Sequence, residues 1–429
     1  MTSPAANHPA GKEVATLDVV RRLSGLALPL FATALVIAMV AHPEAAFRSA
    51  VRGLLLWWEV VFPALLPFFI GGQLLMGLGV VAFVGVLLEP LMRPLFHLPG
   101  VGGFVTAMGL ASGYPIGAVL TADLRHREEI TEVEGERLMS FANTADPLFM
   151  AGAVAVGMFG SASVAGTLVA AHYIGAVLTG FVMRFHRPGA PASTPAEGDH
   201  GPILARAYRA LVRARRQDGR PFGRLFGDAV RRSLDTLLLI GGTIILFAVI
   251  LEILTVAGAV EALAGVFGTI LGWFGVSPAL GPALVSGTFE ITLGSQLAAQ
   301  ADAALADRLI AAGAIIGWAG LSVHAQVAAL IDGTGMSLAP YLLARLVHAF
   351  WTGLATGVLL AWGPDLSTLG HTLAPAVEAM AQAGAAAQSL GWLGRLTLGL
   401  RGLAVAVGTA ATAALLCAAG RAVTRRIMA

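Results

Sequence analysis

Windows of about 20 consecutive apolar residues, each long enough to cross roughly 30 Å of hydrocarbon as a helix, recur along most of this chain. They constrain the fold more than any other feature, because a segment inside a bilayer must satisfy its own backbone hydrogen bonds. The balance of residues agrees: 57% are hydrophobic, 12% are charged, and the mean hydropathy is +0.79. The expected fold class is an all-α polytopic membrane protein. Its single cysteine, Cys417, excludes an intramolecular disulfide and any multi-thiolate metal site. No cofactor, metal or nucleic acid is expected as a partner; the bilayer is. The basic start and apolar core of "VVRRLSGLALPLFATALVIAMVAHPEAAF" resemble a signal peptide. The core, Leu23 to Ala41, is long and no clear cleavage site follows, so a retained helix is expected.

The arginines orient the chain. Eleven of them lie between Arg184 and Arg232 against Glu197, Asp199, Asp218 and Asp228, in a stretch that opens with the linker-like "RPGAPASTPAEGDHGP". The positive-inside rule makes this segment cytoplasmic. Lys12, Arg21 and Arg22 at one end, with Arg421, Arg425 and Arg426 at the other, put both termini on the same side. About eight spans are expected, at 24–42, 54–78, 138–159, 164–184, 234–257, 307–330, 339–362 and 402–420. Residues 80–98 carry Glu89, Pro90, Arg93, Pro94 and His97, a composition that suits a helix lying at the interface. Residues 259–276, with Glu261, read the same way.

Two remaining apolar stretches, 101–123 and 278–300, are interrupted at their centres. In "MGLASGYPIGAVLTADL" the tip is Ser112, Gly113, Tyr114 and Pro115; in "SGTFEITLGSQLAAQ" it runs from Ser286 to Gly294 and includes Gly287, Thr288 and Glu290. The two Ser-Gly pairs are 174 residues apart, "IGG" recurs at 70–72 and 240–242, and "FRSAVRG" at 47–53 has a counterpart in "FGDAVRR" at 226–232. The chain therefore reads as two related halves. Unwound backbone is tolerated in a membrane only inside protein or beside a water-filled cavity. Two re-entrant hairpins are expected, the first entering from the cytoplasm and the second from outside, which is an inverted-topology repeat. The competing reading is that the glycines merely permit close helix packing. The expected organisation is a first helix within 1–43, repeats at 44–185 and 233–363 separated by an arginine-rich linker at 186–232, and an external amphipathic segment with a last helix in 364–429.

Polar residues also interrupt the span after each hairpin. Asn143, Thr144, Asp146 and Pro147 do so in the first half, and Ser322, His324 and Gln326 in the second. Pro147 frees a carbonyl of the preceding turn, so a break there would turn Asp146 toward the first hairpin; a capped kink is the alternative. Ser322, His324 and Gln326 spread around an intact helix but share one site on an unwound one; an interhelical hydrogen-bond cluster is the alternative. Glu290, Arg345 and His348 are ionisable groups inside spans, functional candidates by default. Arg345 and His348 share a helix face and are expected either to neutralise Glu290 or to meet an anionic substrate. Asp146, Glu290 and His324 are candidates for coupling to a sodium or proton gradient.

The motifs "GLASGYPIGA", "NTADPLF", "SGTFEITLG" and "GLSVHAQVA", in that order over about residues 45–362, resemble the YlbJ family of sporulation integral membrane proteins, also called SpoVV. That resemblance implies a fold similar to concentrative nucleoside transporters, with Gate domains, two interfacial helices, two re-entrant hairpins and two broken helices. It implies transport of dipicolinic acid across the outer forespore membrane, for which Arg345, His324, His348 and the hairpin-tip amides are chemically suited partners. Related transporters are often homo-oligomers. A nucleoside-type transporter and a non-transporting scaffold for spore assembly are the alternatives. An intramembrane hydrolase using Ser322 or Ser112 with His324 lacks a nucleophile elbow, so no enzymatic activity is expected.

Overall fold

A computed structural model describes residues 29–147, 149–193, 202–273 and 275–367. The expected span at 402–420 and the amphipathic segment before it lie outside the described residues. Within them the chain is helical throughout, without strands. The helices are α1 (Pro29–Ala41), α2 (Pro43–Leu56), α3 (Phe62–Gly77), α4 (Val80–Phe96), α5 (Val101–Ser112), α6 (Ile116–His126), α7 (Glu132–Ala142) and α8 (Ala165–Met183). After the linker come α9 (Ile203–Asp218), α10 (Phe222–Val256), α11 (Ala259–Trp273), α12 (Gly281–Phe289), α13 (Ile291–Gln300), α14 (Leu305–Trp318), α15 (Leu321–Leu330) and α16 (Leu338–Trp362). A π-helical turn, Trp57–Val61, joins α2 to α3, and a longer π-helix, Phe149–Met158, follows α7.

Among the described residues, four helical segments are long and apolar enough to cross a membrane: Ala162–Met183, Phe222–Val256, Leu305–Leu330 and Leu338–Trp362. Two bent pairs raise the number to six: α1 with α2, bent by 105°, and Leu65–Gly77 with α4, bent by 82°. Apolar length alone had suggested more uninterrupted spans than this. Pro43 starts a new helix at the first bend, where it lacks only an N–H that a first turn leaves unused. Gly79, at φ 82°, makes the second.

The repeat is visible element by element. The helices starting at Pro43, Val80, Val101, Ile116, Glu132, Phe149 and Ala165 have counterparts starting at Phe222, Ala259, Gly281, Ile291, Leu305, Leu321 and Leu338, offsets of 172–180 residues. The halves run in opposite senses. Along α7 and α16 the contacts advance together, Glu136 Oε1 with the Ser337 amide and Ser140 with Arg345. Along α14 and α16 they run in reverse, Ile310 against Gly357 and Gly317 against Ala349. Helices α7 and α14, which hold equivalent places, are therefore antiparallel.

The long helices α2–α3 and α10 pack antiparallel along their length. Ser49 donates to Ala248 O at 2.7 Å, Arg52 pairs with Glu252 at 2.6 Å, and the Trp57 indole donates to Leu237 O at 2.9 Å. A Cβ on Gly241 would lie 2.6 Å from the Trp57 ring, so only glycine admits this indole. Small residues substitute here for the hydrophobic drive that lipid cannot supply. Helix α4 is covered by α9, whose backbone reaches Gly79 at the second bend.

Candidate functional site

In the first repeat, α5 and α6 form a hairpin closed by Gly113 (φ 80°) and a cis Tyr114–Pro115 peptide. The hairpin sits in the gap where α7 stops. Asn143 leaves the helix with φ −88° and ψ 93°, and residues 144–146 that follow are in no regular secondary structure. Gly109 and Gly117 lie so close to the Ala142 carbonyl that a Cβ on either would overlap it. A Cβ on Gly113 would stand 2.5 Å from Asp146 Oδ2. The unwound backbone needs partners, as any buried backbone does. Thr144 donates to Gly109 O at 3.2 Å, and Tyr173 of α8 donates to Leu110 O at 2.8 Å. The His172 Nε2 accepts from the Ala145 amide at 3.0 Å. Asp146 Oδ1 accepts from the Phe149 amide at 2.9 Å and so caps the π-helix.

Arg345 enters this region from α16 and is fully buried. Its Nη1 donates to Asn143 O at 2.9 Å and to the Tyr114 hydroxyl at 3.4 Å, while Nη2 donates to Ser140 O. The guanidinium also lies 5.3 Å over the Tyr341 ring, whose hydroxyl accepts from Asn143 Nδ2 at 3.0 Å. A cation at the carbonyl end of α7 is where the helix dipole favours one. His348, one turn on, lies with its ring 4.6 Å from His172, and its Nε2 is 3.0 Å from His172 O. Tyr114 in turn donates to Ile316 O at 3.1 Å, so the first hairpin tip touches the broken helix of the second repeat.

The second repeat uses the same device with the roles exchanged. Its hairpin, α12–α13, turns at Glu290, which is extended (φ −146°), and the carboxylate accepts from the Leu293 amide at 2.8 Å, capping α13. Its broken helix is interrupted at Ala319 (φ 76°) and Gly320 (φ 85°). A Cβ on Gly320 would come within 3.0 Å of Phe289 O and 3.1 Å of the Glu290 Cα. In each repeat a left-handed glycine therefore packs against an acidic residue. The glycine is on the hairpin in the first repeat and on the broken helix in the second. Trp318 donates to Thr288 O at 3.1 Å, and the His324 ring lies 2.8 Å from Trp318 O, a carbonyl released by the break.

Several expected positions differ in detail. Ser322, His324 and Gln326 are all buried, but they ride on the regular helix α15; the break lies just before them, because Gly320 is where the hairpin backbone presses in. Arg345 meets α7 carbonyls and Tyr114, while Glu290 is engaged as a helix cap. Ser112, Asn143, Thr144, Ser286 and Gly287 are buried at the tips and breaks, with Thr288 and Tyr114 partly exposed. His172, Tyr173, Trp318 and Tyr341 belong to the same assembly and were not singled out from the sequence. The signal for His172 was there: an ionisable residue in the middle of the apolar run "LVAAHYIGAVL".

Among the residues named above, six polar atoms are buried without a protein hydrogen-bond partner: Ser112 Oγ, Asn143 Oδ1, His172 Nδ1, His324 Nδ1, Arg345 Nε and His348 Nδ1. Buried polar atoms are normally paired, so each of these calls for a partner such as ordered water. Among the described residues no group of three His, Cys, Asp or Glu is arranged to hold a metal ion.

These features define an integral, multi-pass membrane protein of two inverted helical repeats, each seating a hairpin in its own broken helix. Residues 58–180, the first repeat, match the family described as Gate, nucleoside recognition. The chain is 46% identical over 336 residues to the sporulation integral membrane protein YlbJ of Bacillus subtilis (strain 168), an overlap of 78% of this chain and 81% of that protein. It belongs to the YlbJ family of sporulation integral membrane proteins. Among solved structures it is similar to CNTnw in an inward-facing, substrate-bound state, with 15% identity, 79% of this chain and 86% of that one covered, and a TM-score of 0.37.

Proposed function

We propose that the protein is a secondary transporter of a small anionic or heteroaromatic solute, working by alternating access around the two hairpins. The observation that carries this reading is the meeting of two broken helices and a hairpin tip around buried Arg345, with unpartnered buried polar atoms on Ser112, Asn143, His172, His324, Arg345 and His348. A scaffold has no use for such an arrangement, which is costly to bury in a membrane. In this reading the hairpins are re-entrant, substrate sits between the helix breaks near the midplane, and no covalent chemistry takes place. Both termini face the cytoplasm.

The proposed substrate is dipicolinic acid, carried across the outer forespore membrane, as the family resemblance implies. Its two carboxylates suit a site whose fixed charge is the Arg345 guanidinium, and its ring suits the histidines His324 and His348. A sodium or proton gradient would drive it, with Asp146 and Glu290 as coupling groups, and the transporter would work as a homo-oligomer. A nucleoside substrate is the second reading, favoured by the Gate match over the first repeat.

Proteoliposomes holding purified protein test both. Saturable dipicolinate uptake, weak uridine uptake and loss of both in His348→Gln and Ser112→Ala are expected, and imposed sodium or proton gradients identify the coupling. Folded protein that moves neither solute would sink the transporter reading.

A further inference from the structure

Between residues 203 and 232 the chain carries nine arginines against two aspartates, Asp218 and Asp228. Both aspartates are already engaged: Asp218 pairs with Arg220 at 2.7 Å and Arg215 at 3.4 Å, and Asp228 with Arg220 at 2.9 Å. Arg213, Arg216, Arg224 and Arg231 are exposed and have no acidic partner among the described residues. A positive surface remains after the internal pairs are made.

The circumference of α9 is divided into three strips. Ala207 and Ala214 lie on the packed side, Ala207 being buried and Ala214 facing Gly79. At about 100° per residue, Leu204 and Tyr208 form the next strip, and both are 64% exposed. Arg213 and Arg216 form the third. A shallow recess of about 460 Å³ runs along the last two strips, lined by Tyr208, Val212, Arg213 and Arg216 among others. The first turns of α10 repeat the pattern, with Phe222 and Phe226 exposed beside Arg224. Apolar side chains bordered by unpaired arginines are the composition of a helix that lies in the headgroup layer. Water gives Leu204, Tyr208 and Phe222 no reason to be outward, whereas an acyl boundary does.

We propose that this face of α9 and the start of α10 binds anionic phospholipid headgroups, the arginines holding phosphate and the apolar strip entering the boundary beneath. The proposal is independent of what the protein transports.

Full-length protein in neutral detergent would be titrated with phosphatidylglycerol or phosphatidylcholine while its thermal unfolding midpoint is followed. Phosphatidylglycerol should raise the midpoint, less so at high salt, and phosphatidylcholine should not. In the triple variant Arg213→Gln, Arg216→Gln, Arg224→Gln the midpoint without lipid should be unchanged, these side chains having no partner to lose. Half-saturation should shift by about fivefold per arginine removed. Equal response to the two lipids, an identical titration in the variant, or the same shift from inorganic phosphate alone would each overturn the proposal.

Discussion

The two repeats build the same junction and hold it differently. In the first, the hairpin tip and the break of α7 are secured from elsewhere in the chain: Arg345 and Tyr341 reach in from α16 of the other repeat, and His172 and Tyr173 from α8. In the second, most of the named bonds come from the junction itself, Trp318 to Thr288, His324 to Trp318 and Glu290 to Leu293, and one, from Tyr114 to Ile316 O, arrives from the other repeat. Exposure follows the same division. At the first hairpin tip Ser112, Gly113 and Pro115 are buried, whereas at the second Thr288, Phe289 and Glu290 are partly exposed. An identical backbone device thus serves as an anchored joint in one half and a lightly tied one in the other. Local stability follows the number of buried partners, so the second hairpin is the one with freedom to move.

The strongest way to break this comparison is to remove the cross-repeat cation. Arg345→Ala should destabilise the protein by about 3 kcal/mol or more, since Ser140 O and Asn143 O both lose their donor in a buried place. His324→Ala, which removes a bond within the second junction, should cost only about 1 kcal/mol. Unfolding in mixed micelles reads both, and equal losses would refute the asymmetry.

The two left-handed glycines come next. Gly113→Ala and Gly320→Ala should each cost about 1–3 kcal/mol from backbone strain alone. Gly113→Ala should be the worse, because its Cβ meets Asp146 Oδ2 at 2.5 Å whereas that of Gly320 meets nothing nearer than 3.0 Å. The same unfolding measurement ranks them.

Hydrogen exchange sharpens the contrast without mutation. Amides of α12–α13 near Glu290 should exchange roughly tenfold faster than those of α5–α6 near Ser112, a difference of about 1.4 kcal/mol in local opening. Equal protection would place both hairpins in one rigid unit.

The smallest effect lies in the linker, which touches neither junction. The Arg220 hydrogen bond to Asp218 holds that carboxyl below its usual range, against the opposing effect of burial. A depressed carboxylate adds stability that is present above its unfolded pKa and lost as pH falls through the folded one. Asp218→Asn should therefore lower stability slightly at neutral pH, converge with the parent protein as pH falls through the carboxylate range, and leave both hairpins unchanged. Thermal unfolding against pH checks it.

Much of the secondary structure was legible because a membrane exaggerates local signals. The stretches 101–123 and 278–300 fold as helical pairs, α5–α6 and α12–α13, since Ser-Gly tips in an apolar run have few other outcomes. Residues 80–98 and 259–276 are helices α4 and α11, with prolines inside the first. Exact breaks were less legible. The polar residues Ser322, His324 and Gln326 left open whether α15 itself unwinds, and the unwound pair is Ala319–Gly320 just before them. Nothing in an alanine announces φ 76°; the neighbouring Gly320 is the residue that packs against the Phe289 and Glu290 backbone.

By itself, the sequence determined the solvent, the helical class, the doubling of the chain and the neighbourhoods, though not the exact residues, in which helices break. Those follow from apolar length, composition and short-range backbone chemistry, all carried by neighbours in the chain. Only the tertiary structure decided which groups answer each break. Arg345 lies more than 200 residues from Ser140 and Asn143, and its charge fits Glu290 or an anion just as well. A guanidinium can pair with a carboxylate, a substrate or the carbonyl end of a helix, and which of them lies within 3 Å depends on how the two repeats pack.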